Sequence, residues 1–384
     1  MINSAKQSKY FLWIITLLLL AIIFERAFVG SNSWRYTHWL FNYDVEFVKR
    51  GLAGQLLLIT NYDINFSNLE PIWKSITWIA LLLFTFVVAR SFLSINRIKS
   101  NLLLFILAIS SSATLQHFIY DFGRFDTLNL IISLIALLSI NKLSNTALYL
   151  IIPFLCSVMI LVHEASFFLF TPVIMSYWLY KRPKNLLGKG IVFIGILVLT
   201  YLVSTKGLIQ SLSLEEHQMI LKEKYGTNIS ASSLNVLHRD LKDNINFTAN
   251  SIDQKRVYDH IAFFITFLPL FIVLGKIISA IAKHAKTKKL FFLLVLSCFT
   301  PLALYPLGED HFRWWSVGIT NIFLIISMLS YQSQSITNDV IKVCESNKKL
   351  IITSIVLSLV LGPLGNPSAY PFTLNQYFIE ALNL

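Results

Sequence analysis

The stretch HIAFFITFLPLFIVLGKIISAI, His260 to Ile281, runs for 22 residues in which only His260 and Lys276 can carry a charge. Coiled into an α-helix it would be about 33 Å long. The hydrocarbon core of a bilayer is about 30 Å thick and takes about 20 mostly apolar residues to cross. A helix on a soluble core keeps one polar face, and this one is apolar all round. It reads as a membrane span.

Working outward, ten further blocks of this kind lie at roughly 11–28, 73–92, 102–119, 127–141, 146–162, 166–180, 190–205, 290–307, 315–331 and 350–365. Together they predict an all-α, polytopic integral membrane protein with about 11 transmembrane helices (10–12), forming a single transmembrane domain over 1–384. The blocks at 127–141 and 166–180 are short, so ten spans plus a re-entrant pair is an alternative. The first block follows Lys6 and Lys9, lacks a small-x-small cleavage site and runs into Glu25-Arg26, which predicts a retained anchor. Composition agrees: 14% of residues are charged and 55% hydrophobic, against about 25% charged in a soluble chain. Soluble domains, a DNA-binding protein and a β-barrel are thereby set aside.

In a soluble protein the net charge of +12 would suggest an anionic partner such as nucleic acid. In a membrane protein it asks instead which side the charges occupy. With the N-terminus in the cytoplasm, the inner loops are 1–10, 93–101, 142–145, 181–189, 282–289 and 332–349. Counting Arg90 and Lys276 at the inner helix ends, that side holds 18 basic residues and two acids, Asp339 and Glu345, leaving 14 basic and 18 acidic residues outside. The positive-inside bias predicts N-in, C-out. The basic balance is therefore an orientation signal, and no nucleic-acid partner is expected. Cys156 and Cys298 fall in spans and Cys344 in an inner loop, so the outer face has no disulfide to make.

Two outer loops are long, 29–72 and 206–259. The first is expected to hold a short interfacial helix at 51–60. The second should open a helix at the capping box of Ser213 and Glu216, ending near Gly226. Leu234, Leu237, Leu241 and Ile245 recur at helical spacing in a further helix, and the loop reads as a cover for the bundle.

Ionisable residues avoid the span interiors and collect at four outer edges. These are Asp44, Glu46, Lys49 and Arg50; Asp121, Arg124 and Asp126; His163 and Glu164; and Glu309, Asp310, His311 and Arg313. Each has a plain reading. Asp44 and Glu46 can be solvated charge balanced by Lys49 and Arg50, Asp126 can cap the helix after it, and 309–315 can be an anchored interfacial turn. His163-Glu164 is harder to dismiss, because charge in a nearly loopless hairpin is costly and is by default a functional candidate. Four sequence-distant turns with mixed acids and bases at one depth are what a single polar cleft needs.

Such a cleft has a definite chemistry. Carboxylates can take a proton from a hydroxyl nucleophile or hold a divalent cation, while arginine and histidine neutralise a phosphate leaving group. A lipid phosphate bearing a transferable sugar requires both. No glycine-rich nucleotide loop is present, consistent with a phosphate-linked donor that carries its own driving force.

At this point the chain resembles a known class. Asp44-Val-Glu46 after an N-in first helix, with Asp121-Phe-Gly-Arg124-Phe-Asp126 in a later outer turn, is similar to the acidic motifs of GT-C membrane glycosyltransferases. Size, span count and the large later loop also resemble bacterial O-antigen polymerases of lipopolysaccharide biosynthesis. The resemblance implies a multi-pass protein of the bacterial inner membrane with its active site facing the periplasm. It implies a polyprenyl-phosphate- or diphosphate-linked saccharide as partner, together with membrane lipid and polysaccharide-assembly proteins. Asp44, Glu46, Asp121 and Asp126 would be catalytic, the other edge residues would bind substrate or phosphate, and magnesium or manganese is the cation it allows. The rivals are a transporter or flippase for a lipid-linked sugar, and a non-catalytic membrane subunit. Transporters usually place charges and broken helices near the midplane, often in two related halves. Neither midplane charge nor a repeat is visible in this sequence.

Overall fold

A computed structural model of the chain describes residues 17–18, 20–21, 23, 32–92, 98–251 and 254–365. Among these the chain is helical, with no β-sheet. Eight helices are long and apolar enough to cross a membrane: Phe66–Phe92, Leu102–Tyr120, Phe125–Lys142, Asn145–Val162, Leu186–Lys206, Arg256–Ala282, Lys288–Leu307 and His311–Gln332. The expected anchor at 11–28 lies outside the described residues apart from five positions, of which Leu20 and Ile23 are buried in the core. Lys6, Lys9 and Arg97 also lie outside.

Two other expected spans are interrupted or short. The block at 166–180 divides at Phe170 into Ser166–Leu169 and Thr171–Lys181; Pro172 sits in the first turn of the second helix, where its missing N–H costs nothing. The block at 350–365 gives a helix of 14 residues, Lys348–Leu361, stopped by Gly362 at φ 80°. Within Lys288–Leu307 the α-helix ends at Ser297 and a 3-10 segment, Thr300–Leu307, carries Pro301 and Pro306.

His311–Gln332 is the hub. Of its most apolar stretch 94% is buried inside the protein, against 22% for Leu186–Lys206, which presents its sides outward. Small and polar residues let its neighbours come close: at Gly318 a Cβ would stand 3.2 Å from the Cys298 carbonyl oxygen. They also repair the breaks around them. Thr320 Oγ1 donates to the Ala113 carbonyl at 2.8 Å, where the helix of 102–120 is interrupted. Asn321 Nδ2 donates to Leu169 at 2.8 Å, beside the break at Phe170. Backbone freed inside a membrane has to find such partners.

Among the described residues, several helix ends predicted to share a side meet. At one end Arg90 meets Tyr331, Lys181 meets Gln332, Arg182 meets Asn145 and His284 meets Asp339. The other end carries the two long loops. Gly51–Ile59 forms the expected short helix, and Ser213 and Glu216 make the capping box of Leu214–Tyr225, which stops at Gly226. The further helix is two: Ala231–His238 and Leu241–Asn250, because Asp240 and Asp243 form a capping box of their own. Leu234 and Leu237 are buried, while Leu241 and Ile245 are exposed.

Candidate functional site

The site is built where the four charged turns converge. The second turn is shaped by Gly123, at φ 86°, whose Cα faces the Trp73 ring so closely that a Cβ would lie 3.0 Å from it. Its carbonyl accepts from Trp39 Nε1 at 2.8 Å. Arg124 leads into Phe125–Lys142, so Asp126 falls in the first turn and not at the cap. Its carboxylate instead points across to the hub helix.

There Arg313 grips it with two bonds, Nε to Oδ2 at 2.6 Å and Nη2 to Oδ1 at 2.7 Å. Arg313 Nη1 donates to Asp310 Oδ2 at 2.8 Å, and Arg124 Nη1 donates to that same oxygen at 2.8 Å. Arg313 Nη2 also reaches His163 Nε2 at 3.2 Å. His163 Nδ1 faces Glu164 at 3.3 Å and the Ala165 backbone N–H at 3.3 Å. Glu164 in turn receives Arg50 through Nε and Nη2, the shortest contact being 2.6 Å. One network thus joins residues 50, 124, 126, 163, 164, 310 and 313.

The electrostatics follow from this pairing. Burial opposes ionisation of Glu164 and Asp310, but the guanidinium groups beside them prevail and hold both carboxyls well below their usual range. Burial, with Arg50 next to it, lowers the pKa of His163. His38 is lowered further for the same reasons.

Enclosed by the network is a cavity of about 20 Å³. Arg35, Arg50, Arg124, Arg313, His38 and His163 line it, with Trp34 and Phe125, and no carboxylate does. Arg35 is held by the carbonyls of Phe122 and Tyr120 at 2.8 and 2.9 Å, and Arg124 lies 4.7 Å over the Trp34 ring. Such a lining suits an anion with several acceptor oxygens.

Beside it Asp121 is fully buried with neither oxygen hydrogen-bonded, and His117 Nε2 is likewise unpartnered. The basic nitrogens near Asp121 are Arg124 Nε at 3.6 Å and His117 Nε2 at 3.8 Å. His117, Asp121 and Asp126 offer ligand atoms within 4.8 Å of one another, so these are the residues that could hold a divalent cation. A nitrogen among carboxylates suits manganese better than magnesium, and Asp126 would have to yield an oxygen now bound by Arg313.

The remaining sequence candidates lie apart from this network. Asp44 is exposed and pairs with Lys224 at 2.9 Å. Glu46 accepts from the Ser211 hydroxyl at 2.7 Å and from the Gln210 and Ser211 amides, tying the first long loop to the second. Lys49 is buried, its pKa lowered by that burial, and its backbone N–H bonds Gly207. Glu309 pairs with Arg256 at 2.5 Å, and His311 stacks on Tyr305 at 4.2 Å. Conversely Arg35, His38 and His117 are lining or cluster residues that the sequence reading passes over. His117 stands four residues before Asp121 on a helix, the spacing that brings side chains together.

No family model matches the chain, and no curated protein or solved structure matches it.

Proposed function

We propose that the chain is a membrane glycosyltransferase of cell-surface polysaccharide assembly that takes its sugar from a polyprenyl-phosphate or -diphosphate carrier. In this reading it lies N-in, C-out in a bacterial inner membrane, with the charge network on the periplasmic side. One observation carries the reading: a cavity lined by four arginines and two histidines adjoins a buried carboxylate, Asp121, with no hydrogen-bond partner. A phosphate would satisfy the arginines, and an acceptor hydroxyl would satisfy Asp121.

The chemistry is displacement at the anomeric carbon. The acceptor oxygen bonds to that carbon as its bond to the phosphate oxygen breaks, the hydroxyl proton passes to Asp121, and the carrier phosphate leaves with the bonding pair. Arg35, Arg50, Arg124 and Arg313 stabilise the charge that develops on the leaving group. A divalent cation at His117, Asp121 and Asp126 would add to that neutralisation. At about 20 Å³ the cavity admits little more than one water, so substrate entry requires its lining residues to move apart.

A second reading, a flippase for a lipid-linked sugar, is favoured by the helix breaks at 111–114 and Phe170, since interrupted helices commonly form transport sites. Both are tested by replacing Asp121 with Asn in the producing strain and analysing surface glycolipids together with the carrier lipids. A transferase gives loss of polysaccharide with donor lipid accumulating on the outer face. Donor trapped on the inner face would favour the flippase, and unchanged polysaccharide would sink both. A ladder collapsing to one repeat would identify a polymerase, and loss of a single branch sugar a monosaccharide transferase.

A further inference from the structure

The end of the bundle remote from the charge network carries a groove of about 510 Å³ between the helices Gln254–Ala282 and Gln334–Ser346. Phe271 and Val343 form part of its apolar wall, and Lys276, Ser279, Lys283 and Asn347 its polar one. Lys276 spans the mouth to donate to Asn347 Oδ1 at 2.6 Å. The groove exists partly because residue 275 is glycine: no atom lies within 4 Å of where a Cβ would stand.

The groove continues into a stripe. Ile261, Ile265, Leu268 and Ile272 are exposed on the same helix, and with Gly275 and Ser279 they recur at three- and four-residue spacing, so they share one face, with Lys283 just past the helix end. That face runs from an apolar strip to a basic end. Charge around that end is mainly basic: Lys286, Lys288, Lys289, Lys348 and Lys349 are near in sequence, against the two acids Glu345 and Asp339, the second already engaged by His284 at 2.8 Å and Lys342 at 3.4 Å.

We propose that this groove binds an anionic phospholipid, its phosphate between Lys276 and Lys283 and an acyl chain along Ile272, Leu268 and Ile265. Basic pockets between spanning helices recognise such headgroups. The adjoining apolar stripe is what distinguishes a lipid from a soluble phosphate, which would leave it unused. The site is independent of the chemistry at the other end of the molecule.

The test uses the full chain purified in detergent and offered dioleoyl-phosphatidylglycerol or dioleoyl-phosphatidylcholine, with bound lipid counted by native mass spectrometry. The anionic lipid should be held about tenfold or more tightly than the zwitterionic one, each lysine contributing about fivefold. Lys276→Gln with Lys283→Gln should remove that preference. Gly275→Leu should exclude the lipid by filling the groove, with an unchanged or higher thermal midpoint, because leucine suits a helix better than glycine. Equal binding of the two lipids, or an undiminished preference in both variants, overturns the proposal. Competition by glycerol 3-phosphate as strong as that by the lipid would also overturn it, in favour of a soluble-phosphate site.

Discussion

Arg313 on the hub helix and Asp126 at the start of Phe125–Lys142 form a two-bond ion pair, 2.6 and 2.7 Å, with the carboxylate fully buried. Neither charge can be given up alone. Arg313→Ala leaves Asp126 without its guanidinium and should cost about 3–5 kcal/mol, whereas Arg313→Met with Asp126→Leu should recover much of that loss. Thermal unfolding in detergent measures both. A single variant as stable as the double one would show that the pair is not the structural tie described.

The two sets of carboxylates separate cleanly in their expected effects. Asp44 pairs with Lys224 while about half exposed, so Asp44→Asn should change stability by no more than about 1 kcal/mol. It should also leave surface polysaccharide intact if the chemistry resides at Asp121. Side-by-side glycolipid gels of Asp44→Asn and Asp121→Asn decide between the two positions.

Arg50 combines a backbone demand with a charge. It sits at φ 64°, a left-handed conformation that costs a non-glycine residue about 1 kcal/mol or more. Arg50→Gly relieves this but strips Glu164 of its partner, and the net effect should be destabilising. A double-mutant cycle with Arg50→Met and Glu164→Gln should give a coupling of about 1–3 kcal/mol. A coupling near zero would mean that the contact contributes nothing.

Stability should fall below neutral pH because of buried neutral histidines. Burial and nearby arginines lower the pKa of His38 and His163, and burial with His238 beside it lowers that of His217 to about 4. Below the unfolded value near 6.5 the unfolded chain binds protons that the folded one refuses, so stability declines as pH drops, by up to about 1.4 kcal/mol per unit for each group. The depressed carboxyls of Glu164 and Asp310 add a further loss near pH 4, where the unfolded chain would protonate. His38→Gln should flatten the slope between pH 6.5 and 5 in pH-resolved unfolding curves.

Glycines distinguish close packing from open surface. At Gly54 a Cβ would stand 2.2 Å from the Phe41 carbonyl oxygen, and at Gly195 nothing lies within 4 Å. Gly54→Ala should therefore destabilise by about 1–3 kcal/mol, while Gly195→Ala, inside Leu186–Lys206, should be neutral or stabilising by up to about 1 kcal/mol. Unfolding midpoints of the two variants check the contrast.

The legible part of this protein is its local part. Block length and uniform apolarity identify Phe66–Phe92 or Arg256–Ala282 as spanning helices, because what a bilayer asks of a helix is a property of consecutive residues. The same holds for the capping box at Ser213 and Glu216, which is complete within four residues. Counting spans goes less well at 166–180 and 350–365. There Phe170 and Gly362 end helices whose freed carbonyls are met by residues distant in sequence, as Asn321 meets Leu169.

The sequence by itself determined that charge gathers at four turns and avoids the span interiors, since burying unpaired charge at midplane is too costly. Only the tertiary structure decided which charges meet. Arg313 could have faced Glu309 or Asp310 alone; the packing of the hub helix against Phe66–Phe92 and its neighbours brings Asp126 and His163 within its reach. Asp44 and Glu46, acids of the first long loop, bond instead to Lys224 and Ser211. Pairing depends on distances of a few ångströms between distant segments, and no pattern of neighbouring residues carries that information.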